Sequence, residues 1–358
     1  MRVLVMCPVH DTRDARIVER EIGALLSAGH DVTYAGPFSD FRSGPPDRVR
    51  AIDIPRASGR RRVRALAAAR GVLRREAPDH DVVILHSPEL VLAAVGIAHP
   101  AVVWDVHEDT AAAVSMKSWI PGPLRRPTMV AIRGLERYAE RRAHLMLAEQ
   151  EYAGRFSRAH PVVPNTTVVP DAVRPSAPGR AVYVGTLTRE RGGDDLIALG
   201  RILGGEVTVE ITGQAHGDLV DRLRAADVRG DVSWRGFVPN AAALSSIEGA
   251  TVGLALLHDE ANYRHSMPTK LIEYLARGVP FVSTPLPLAR DLAAASGGGL
   301  IVPFGDPQGV ADAVRQLNVD DDRRRAMAAS GRRWVRDNAD WRRDGAAFVA
   351  QLEAWARA

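Results

Sequence analysis

Short apolar, β-branched runs alternate along the chain with longer stretches whose apolar positions recur at helical spacing, the pattern of parallel strands joined by crossover helices. In the first half the runs are RVLVMCPV, DVTYAGP, DVVILH and AVVWDVH, each bounded by turn or polar residues, and each reads as a buried strand. Between the first two, Ile17, Val18, Ile22, Leu25 and Leu26 mark one face of a helix from Asp14 to Ala28 that stops at Gly29, completing a β-α-β unit. The second half repeats the alternation with AVYVGT, EVTVEITG, DVSWRGF, ATVGLALL, PFVST and GLIVPF, separated by helical stretches such as Asp194 to Leu203 and Pro268 to Arg277. Two doubly wound α/β domains are expected, joined through the proline-rich, poorly helical segment Pro164 to Arg180.

Composition agrees with this picture. The chain has 358 residues, 46% hydrophobic and 25% charged, enough to bury two cores and unlike a disordered or fibrous sequence. Cys7, the single cysteine, can form no internal disulfide, which points to a reducing compartment such as the cytoplasm. The opening MRVLVMCPVH is too short for a secretion signal, and the longest apolar stretches, such as Thr251 to Leu257, fall short of a membrane span.

The net charge of +4 is unevenly placed: residues 1–165 hold 24 basic and 19 acidic side chains. The excess concentrates in Arg56, Arg60, Arg61, Arg62, Arg64, Arg70, Arg74 and Arg75, which occur without an intervening acid and interleave with Val63, Leu66, Ala67, Val72 and Leu73. A solvated helix face is the favoured reading, and peripheral contact with an anionic membrane surface or an anionic acceptor is the alternative. Scarce aromatics and the lack of a recognition motif argue against nucleic acid. Only Lys117 and Lys270 break the arginine habit of the chain.

In open parallel sheets ligands bind beyond the carboxyl ends of the strands, which directs attention to His86, Asp105 to Asp109, Thr186 to Gly193, Gly213 to Gly217, Phe237 to Pro239 and the chain from His258. The sharpest constellation is HSMPTKLIEYLARGVPFVST, residues 265–284. Pro268 suits a first helical turn and Gly278 a left-handed position after the helix end, so a helix of about ten residues is implied. Its amides around Thr269, Lys270 and Leu271 form an anion site suited to a diphosphate. Glu273, one turn on, can accept hydrogen bonds from a vicinal diol such as ribose. The plainer reading pairs Glu273 with Arg277 and leaves Lys270 solvated. A second constellation, YVGTLTRERGGDDLI at residues 183–197, runs a strand through Gly185 and Thr186 into a loop around Arg191, where backbone can approach phosphate oxygens; an ordinary charged loop is the alternative.

Together these segments resemble the retaining GT-B glycosyltransferases of family 4. The likeness extends along nearly the whole chain: Asp14, Arg16, Ile17 and Glu21, then Ala28-Gly-His-Asp-Val, His86-Ser-Pro-Glu-Leu, Trp104-Asp-Val-His-Glu, Ala148-Glu with Tyr152, Val163-Pro-Asn, Val184-Gly-Thr, Arg191-Gly, and, most specifically, Pro268 to Pro280. The resemblance implies two Rossmann-like domains facing a central cleft, with acceptor bound by residues 1–165 and nucleotide-sugar by residues 166–337. Residues 338–358 would form a helix returning to the first domain. It implies that Glu273 binds ribose, that Arg191 and Lys270 neutralise the diphosphate with help from the amides of residues 269–271, and that Phe237 and Val238 border the base. Ser266, Gly185 and Thr186 complete the donor site. His107 would orient the donor sugar or stabilise the transition state, while His10, Asp14, Arg16, His86, Glu108 and Asp109 would meet the acceptor. For His107 the plainer reading is structural; for His10, Asp14 and Arg16 it is a helix cap by Asp11 or Thr12 beside a solvated ion pair.

Two positions depart from the family: His265 replaces a common glutamate eight residues before Glu273, and Thr186 replaces a common arginine. Both leave the donor's identity open. Leaving-group charge on a nucleoside diphosphate calls for cations and a helix N-terminus. A metal would call for paired carboxylates, but Asp79 and Asp81 precede their strand and Asp320 to Asp322 lie on a late helical connection, so no cofactor or metal is expected. The resulting expectation is a cytoplasmic, metal-independent, retaining transferase that uses a nucleotide-sugar, with UDP the favoured nucleotide. An epimerase or hydrolase on the same fold and a non-catalytic nucleotide-sugar-binding protein are the alternatives. Acceptor choice is expected to reside in loops such as Pro37 to Pro55 and Met116 to Pro127, and small natural products, glycolipids and polysaccharide precursors all stay open.

Overall fold

The computed structural model describes all residues except 98, 100, 112, 113, 115–119 and 262. Lys117 and the beginning of the Met116 to Pro127 segment therefore lie outside the described residues. The chain divides into two compact units, Met1–Asn165 with Trp341–Ala358, and Thr166–Asp340.

The first unit is built on a parallel sheet of β1 (Arg2–Met6), β2 (Asp31–Gly36), β3 (Arg50–Asp53), β4 (Val82–Leu85), β5 (Val102–Val106) and β6 (His144–Leu147), in the order β3-β2-β1-β4-β5-β6. The central strands are apolar on both faces because helices cover both: Leu4 and Met6 enter one core, Val3 and Val5 the other. Strands β3 and β6 are additions to the sequence reading. The first is an edge strand whose RAID sequence is largely exposed. The second follows the helix Gly122–Arg142 after one residue, so no turn signal separates them.

The predicted first helix is present but unevenly wound. Residues Arg16–Ile22 form a wide helix, with the Arg20 N–H reaching back five residues to the Ala15 carbonyl (3.1 Å), and Gly23–Ser27 continues as an ordinary α-helix. Such wide turns re-aim side chains locally and are common at functional sites. The helix Trp341–Ala356 packs Trp341, Phe348 and Leu352 into the first unit's core, with the Trp341 indole N–H donating to the Arg20 carbonyl at 3.1 Å.

The second unit repeats the topology with β7 (Arg180–Val184), β8 (Thr208–Thr212), β9 (Ser233–Trp234), β10 (Val252–Ala255), β11 (Phe281–Ser283) and β12 (Gly299–Ile301), ordered β12-β11-β10-β7-β8-β9. Each sheet therefore reverses direction beside its own first strand, the arrangement of a Rossmann-like domain, and opens a crevice at the carboxyl ends of the strands on either side of that point.

The arginine-rich segment forms a short turn and the helix Arg62–Glu76, which buries Ala65, Ala69, Val72 and Leu73. Of the apolar residues interleaved with the arginines, Val72 and Leu73 face the core and Leu66 packs partly against it, while Val63 and Ala67 are exposed. Arg62 pairs with Glu89 at 2.6 Å, and Arg70 donates to the carbonyls of Ala93 and Val95. Arg60, Arg64, Arg74 and Arg75 remain on the exposed side. Among the described residues no helix is long and apolar enough to cross a membrane.

Candidate active site

At the carboxyl end of β7 the chain turns through Gly185 with φ +122°, a conformation that suits glycine. The position a Cβ would occupy there lies 3.7 Å from Lys270 Nζ, so the ammonium sits within van der Waals reach of the turn. Lys270 Nζ also stands 3.9 Å from the centroid of the Tyr183 ring, a cation–π contact. Burial pushes the Lys270 pKa down to about 7, and the charge of Arg191 adds to the depression against the opposing effect of Glu273. Among the described residues no carboxylate makes an ion pair with this ammonium within 4.0 Å.

The lysine is fixed by its helix, Thr269–Ala276. Leu271, Ile272 and Leu275 fill the core, while the Tyr274 hydroxyl donates to the Leu254 carbonyl (3.0 Å) and accepts from the Val184 N–H (3.2 Å), tying the helix to β7 and β10. Pro268 caps this helix rather than entering its first turn. Leu271 corrects the expected donor set: its N–H already donates to the Pro268 carbonyl at 2.9 Å, leaving Thr269 and Lys270 as the amides available to an anion. Glu273 is buried beside this site, and its backbone carbonyl accepts from Arg277 Nη1 at 3.4 Å.

The opposite side of the crevice is the loop after β7. The Thr186 carbonyl accepts from the Tyr183 hydroxyl (2.9 Å) and from Arg191 Nη1 (3.3 Å), so Thr186 anchors the arginine through its backbone. Gly192 follows with φ +81°, and a Cβ there would lie 2.4 Å from the Leu256 carbonyl oxygen. Gly192→Ala is therefore expected to destabilise the protein by about 1–2 kcal/mol from the left-handed conformation alone, with the clash adding to it. A thermal melt checks this, and at about 2–4 °C per kcal/mol an unchanged midpoint would contradict the geometry.

In the first unit, side chains from β5, from the segments that follow β1, β4 and β5, and from the wide helix converge on a buried polar hub. Arg16 grips Asp105 with two hydrogen bonds, Nε to Oδ2 at 3.0 Å and Nη2 to Oδ1 at 2.6 Å, and its Nε lies 3.0 Å from Glu21 Oε1. Asp105 Oδ2 also accepts from His107 Nδ1 at 2.7 Å. His86 lies between the two carboxylates, 3.3 Å from Glu21 and 3.4 Å from Asp105, without an aligned hydrogen bond. Nε2 of His107 faces Nε2 of His10 at 3.1 Å.

Electrostatics divides the roles within the hub. Burial opposes the Asp105 charge, but Arg16 and the two imidazoles overcome it and hold Asp105 well below the usual carboxylate range. Burial and the neighbouring Asp105 charge push the Glu21 carboxyl well above the usual carboxylate range, against the pull of Arg16. Burial drives His86 down to about 4 and also lowers His10. For His107 burial works against the imidazolium, but the bond to Asp105 wins and its pKa is raised.

Two family descriptions match the sequence: Glycosyltransferase Family 4 over residues 15–177 and Glycosyl transferases group 1 over residues 178–320. The chain belongs to the family 4 glycosyltransferases. No curated protein matches it in sequence. Among solved structures it resembles sucrose-phosphate synthase from Thermosynechococcus elongatus (TM-score 0.76, 16% identity, 99% of each chain). It also resembles HepE from Anabaena, solved with UDP and glucose (0.71, 14%, 99% of each chain), and WaaG, a glycosyltransferase involved in lipopolysaccharide biosynthesis (0.68, 16%, 95% of this chain and 96% of that one). At these identities the likeness establishes the GT-B fold.

The glycosyltransferase gathers Gly185, Thr186, Arg191, Thr269, Lys270 and Glu273 around one crevice of its second unit. Phe237 is exposed at the end of the segment after β9, and Val238 packs against the core beneath it. His265 is exposed in the turn before the lysine helix, with Ser266 partly buried beside it. In the first unit, His10, His107 and Glu108 reach the pocket wall. Arg16, 4% exposed, lies behind that wall, while His86 lines the pocket at its buried end, 1% exposed. Asp14, rather than Asp11 or Thr12, caps the helix: its Oδ1 accepts from the N–H groups of Arg16 (2.9 Å) and Ile17 (3.3 Å). Asp11 instead pairs with Arg13, and Asp109 pairs with Arg133 at 2.9 Å.

Asp105 as the hub, Glu21 as a buried partner of Arg16, and the Arg62–Glu89 pair beside the pocket are additions from the structure. The available signal for Asp105 was a lone carboxylate inside an apolar strand, which demands a buried partner.

Proposed function

We propose that this glycosyltransferase moves a sugar, with retained anomeric configuration and without a catalytic metal, from a UDP-sugar to a hydroxyl of an acceptor such as a natural product, glycolipid or polysaccharide precursor. The observation that carries the donor half is Lys270: an ammonium kept partly desolvated, with no carboxylate in ion-pair contact among the described residues, is poised for an anion. The helix amides and Arg191 favour the same charge, which suits a diphosphate, and buried Glu273 suits the ribose diol. HepE, of the same fold, has been solved with UDP and with UDP-glucose, which supports uridine as the base.

In this reading the bond between the anomeric carbon and the phosphate oxygen breaks as the acceptor oxygen bonds to the same face. The acceptor proton passes to the departing phosphate. Arg191 and Lys270 stabilise the charge that grows on the diphosphate. His107 orients the donor sugar, with Asp105 fixing the ring, and His10 and Glu108 contact the acceptor.

Nucleotide binding tests the donor half. UDP at 100 times its dissociation constant should stabilise the protein by about 2.7 kcal/mol, more than GDP, dTDP or ADP, and EDTA should leave the shift unchanged. Glu273→Ala should lose most of it. A wild-type protein indifferent to all four nucleotides, or a Glu273→Ala variant that responds fully, would sink the assignment.

A further inference from the structure

The first unit brings together three metal-ligating groups in one pocket, an arrangement that the transfer reaction does not itself require. Ligand atoms of His10, His107 and Glu108 all lie within 4.8 Å of one another. The two imidazoles meet through their Nε2 atoms, 3.1 Å apart. Tetrahedral zinc with Zn–N bonds of about 2.0–2.1 Å sets its nitrogen ligands about 3.3–3.4 Å apart, so a shift of a few tenths of an ångström would seat the ion.

His107 also has the outer partner that a zinc-binding histidine usually has. Its Nδ1–H donates to Asp105 at 2.7 Å, which fixes the tautomer and leaves the Nε2 lone pair facing His10. Asp105 is in turn held by two hydrogen bonds from Arg16, so this support is rigid. The three ligands line a pocket in which the other charged side chains are paired, Arg62 with Glu89 and Asp105 with Arg16.

We propose that His10 Nε2, His107 Nε2 and a Glu108 carboxylate oxygen form a zinc site, with solvent as the fourth ligand and Asp105 as the outer support. The set is two nitrogens and one oxygen, which suits zinc over magnesium or calcium. A second grouping, His86 with Asp105 and His107, is the weaker choice: His86 and Asp105 are sealed from solvent, and the Arg16 guanidinium already occupies the Asp105 oxygens a metal would need. Because the proposed site uses His107, bound zinc would keep that ring from the donor sugar, a consequence that rests on the functional reading above.

The test uses the full, untagged chain, with zinc partitioned against a chromophoric chelator and cobalt(II) as a spectroscopic substitute. One zinc per chain is expected, with visible d–d absorption in the cobalt form. His10→Ala and His107→Ala should each lower zinc affinity at least tenfold, His10→Gln should do the same where the alanine variant folds poorly, and His86→Asn should leave it unchanged. Absence of a stoichiometric zinc in the wild type, or equal retention by both the His10 and His107 variants, would overturn the site. A loss confined to His86→Asn would also overturn it in favour of the inner group. Zinc at saturating occupancy should inhibit transfer, reversibly with EDTA; zinc that binds as described while transfer proceeds would count against the role given to His107 and not against the metal site.

Discussion

Lys270→Met is expected to lower kcat/KM for glycosyl transfer by about 10²–10³-fold, the usual consequence of deleting one preorganised group that stabilises developing oxyanion charge. The folded protein should not suffer. Burial depresses the Lys270 pKa from its ordinary value to about 7, so below that pH the fold carries the cost of a desolvated ammonium. The sign follows from linkage: the unfolded chain binds the proton more tightly, and stability from this group rises as pH climbs from about 7 towards the ordinary lysine value. A methionine of similar length removes that cost while still packing on Tyr183. Activity should therefore fall while the melting temperature at pH 7 holds or rises, a combination that a packing lesion would not produce.

The same depressed pKa predicts how nucleotide affinity varies with pH. A bound diphosphate favours the charged lysine and raises its pKa, so binding takes up a proton between the free value of about 7 and the higher bound value. The dissociation constant of UDP should climb towards tenfold per pH unit above 7 in the wild type and stay nearly flat in Lys270→Met. Calorimetry in buffers of different ionisation enthalpy measures the proton directly. Equal pH slopes in the two proteins would remove Lys270 from the phosphate site.

The parts of the molecule that follow from short-range pattern were legible in the sequence. Apolar runs such as RVLVM, DVVIL and AVYV are long enough and β-branched enough to declare buried parallel strands, and their alternation with helices declares the two Rossmann-like sheets. The strand Arg50–Asp53 escaped because an edge position asks little of its residues, and His144–Leu147 because a helix runs into it without a turn. The lysine helix was readable for a different reason: its anion-binding end and its capping proline and glycine are local features. What made Lys270 unusual was not. Its depressed pKa comes from burial and from the charge of Arg191, which arrives on the loop after β7 some 80 residues away in the chain, beside the Tyr183 ring and the Gly185 turn that the ammonium also touches. The first-unit hub was hidden for the same reason, since Arg16 and His86 read separately as acceptor contacts, Glu21 entered only through the family likeness, and Asp105 only opened a strand-end range. Only the topology that places β4 between β1 and β5 puts them in contact.

That hub supports the second large expectation, that Arg16→Met destabilises the protein by about 3–5 kcal/mol, the range for removing one partner of a buried ion pair. Arg16 is 4% exposed and Asp105 and Glu21 are fully buried, so water cannot replace the guanidinium. Besides the two hydrogen bonds to Asp105, its Nη1 and Nη2 reach the Val163 carbonyl at 3.4 Å, and together these contacts bind the wide helix to β5 and to the segment after β6. Without Arg16 the Asp105 carboxylate would stand beside Glu21 with only imidazole donors, and one more proton would have to enter the core. Arg16→Lys should recover little, because a single ammonium cannot span two carboxylate oxygens and a carbonyl in the plane that the guanidinium does. Asp105→Asn should be milder than Arg16→Met: the Asp105 charge is one of the causes that push the Glu21 pKa up, so removing it favours the Glu21 carboxylate, which lies 3.0 Å from Arg16 and serves as the replacement partner. Urea denaturation of the three variants gives the ranking directly. Arg16→Lys matching the wild type, or Asp105→Asn as damaging as Arg16→Met, would show that the hub is held by something other than this guanidinium bridging two carboxyls.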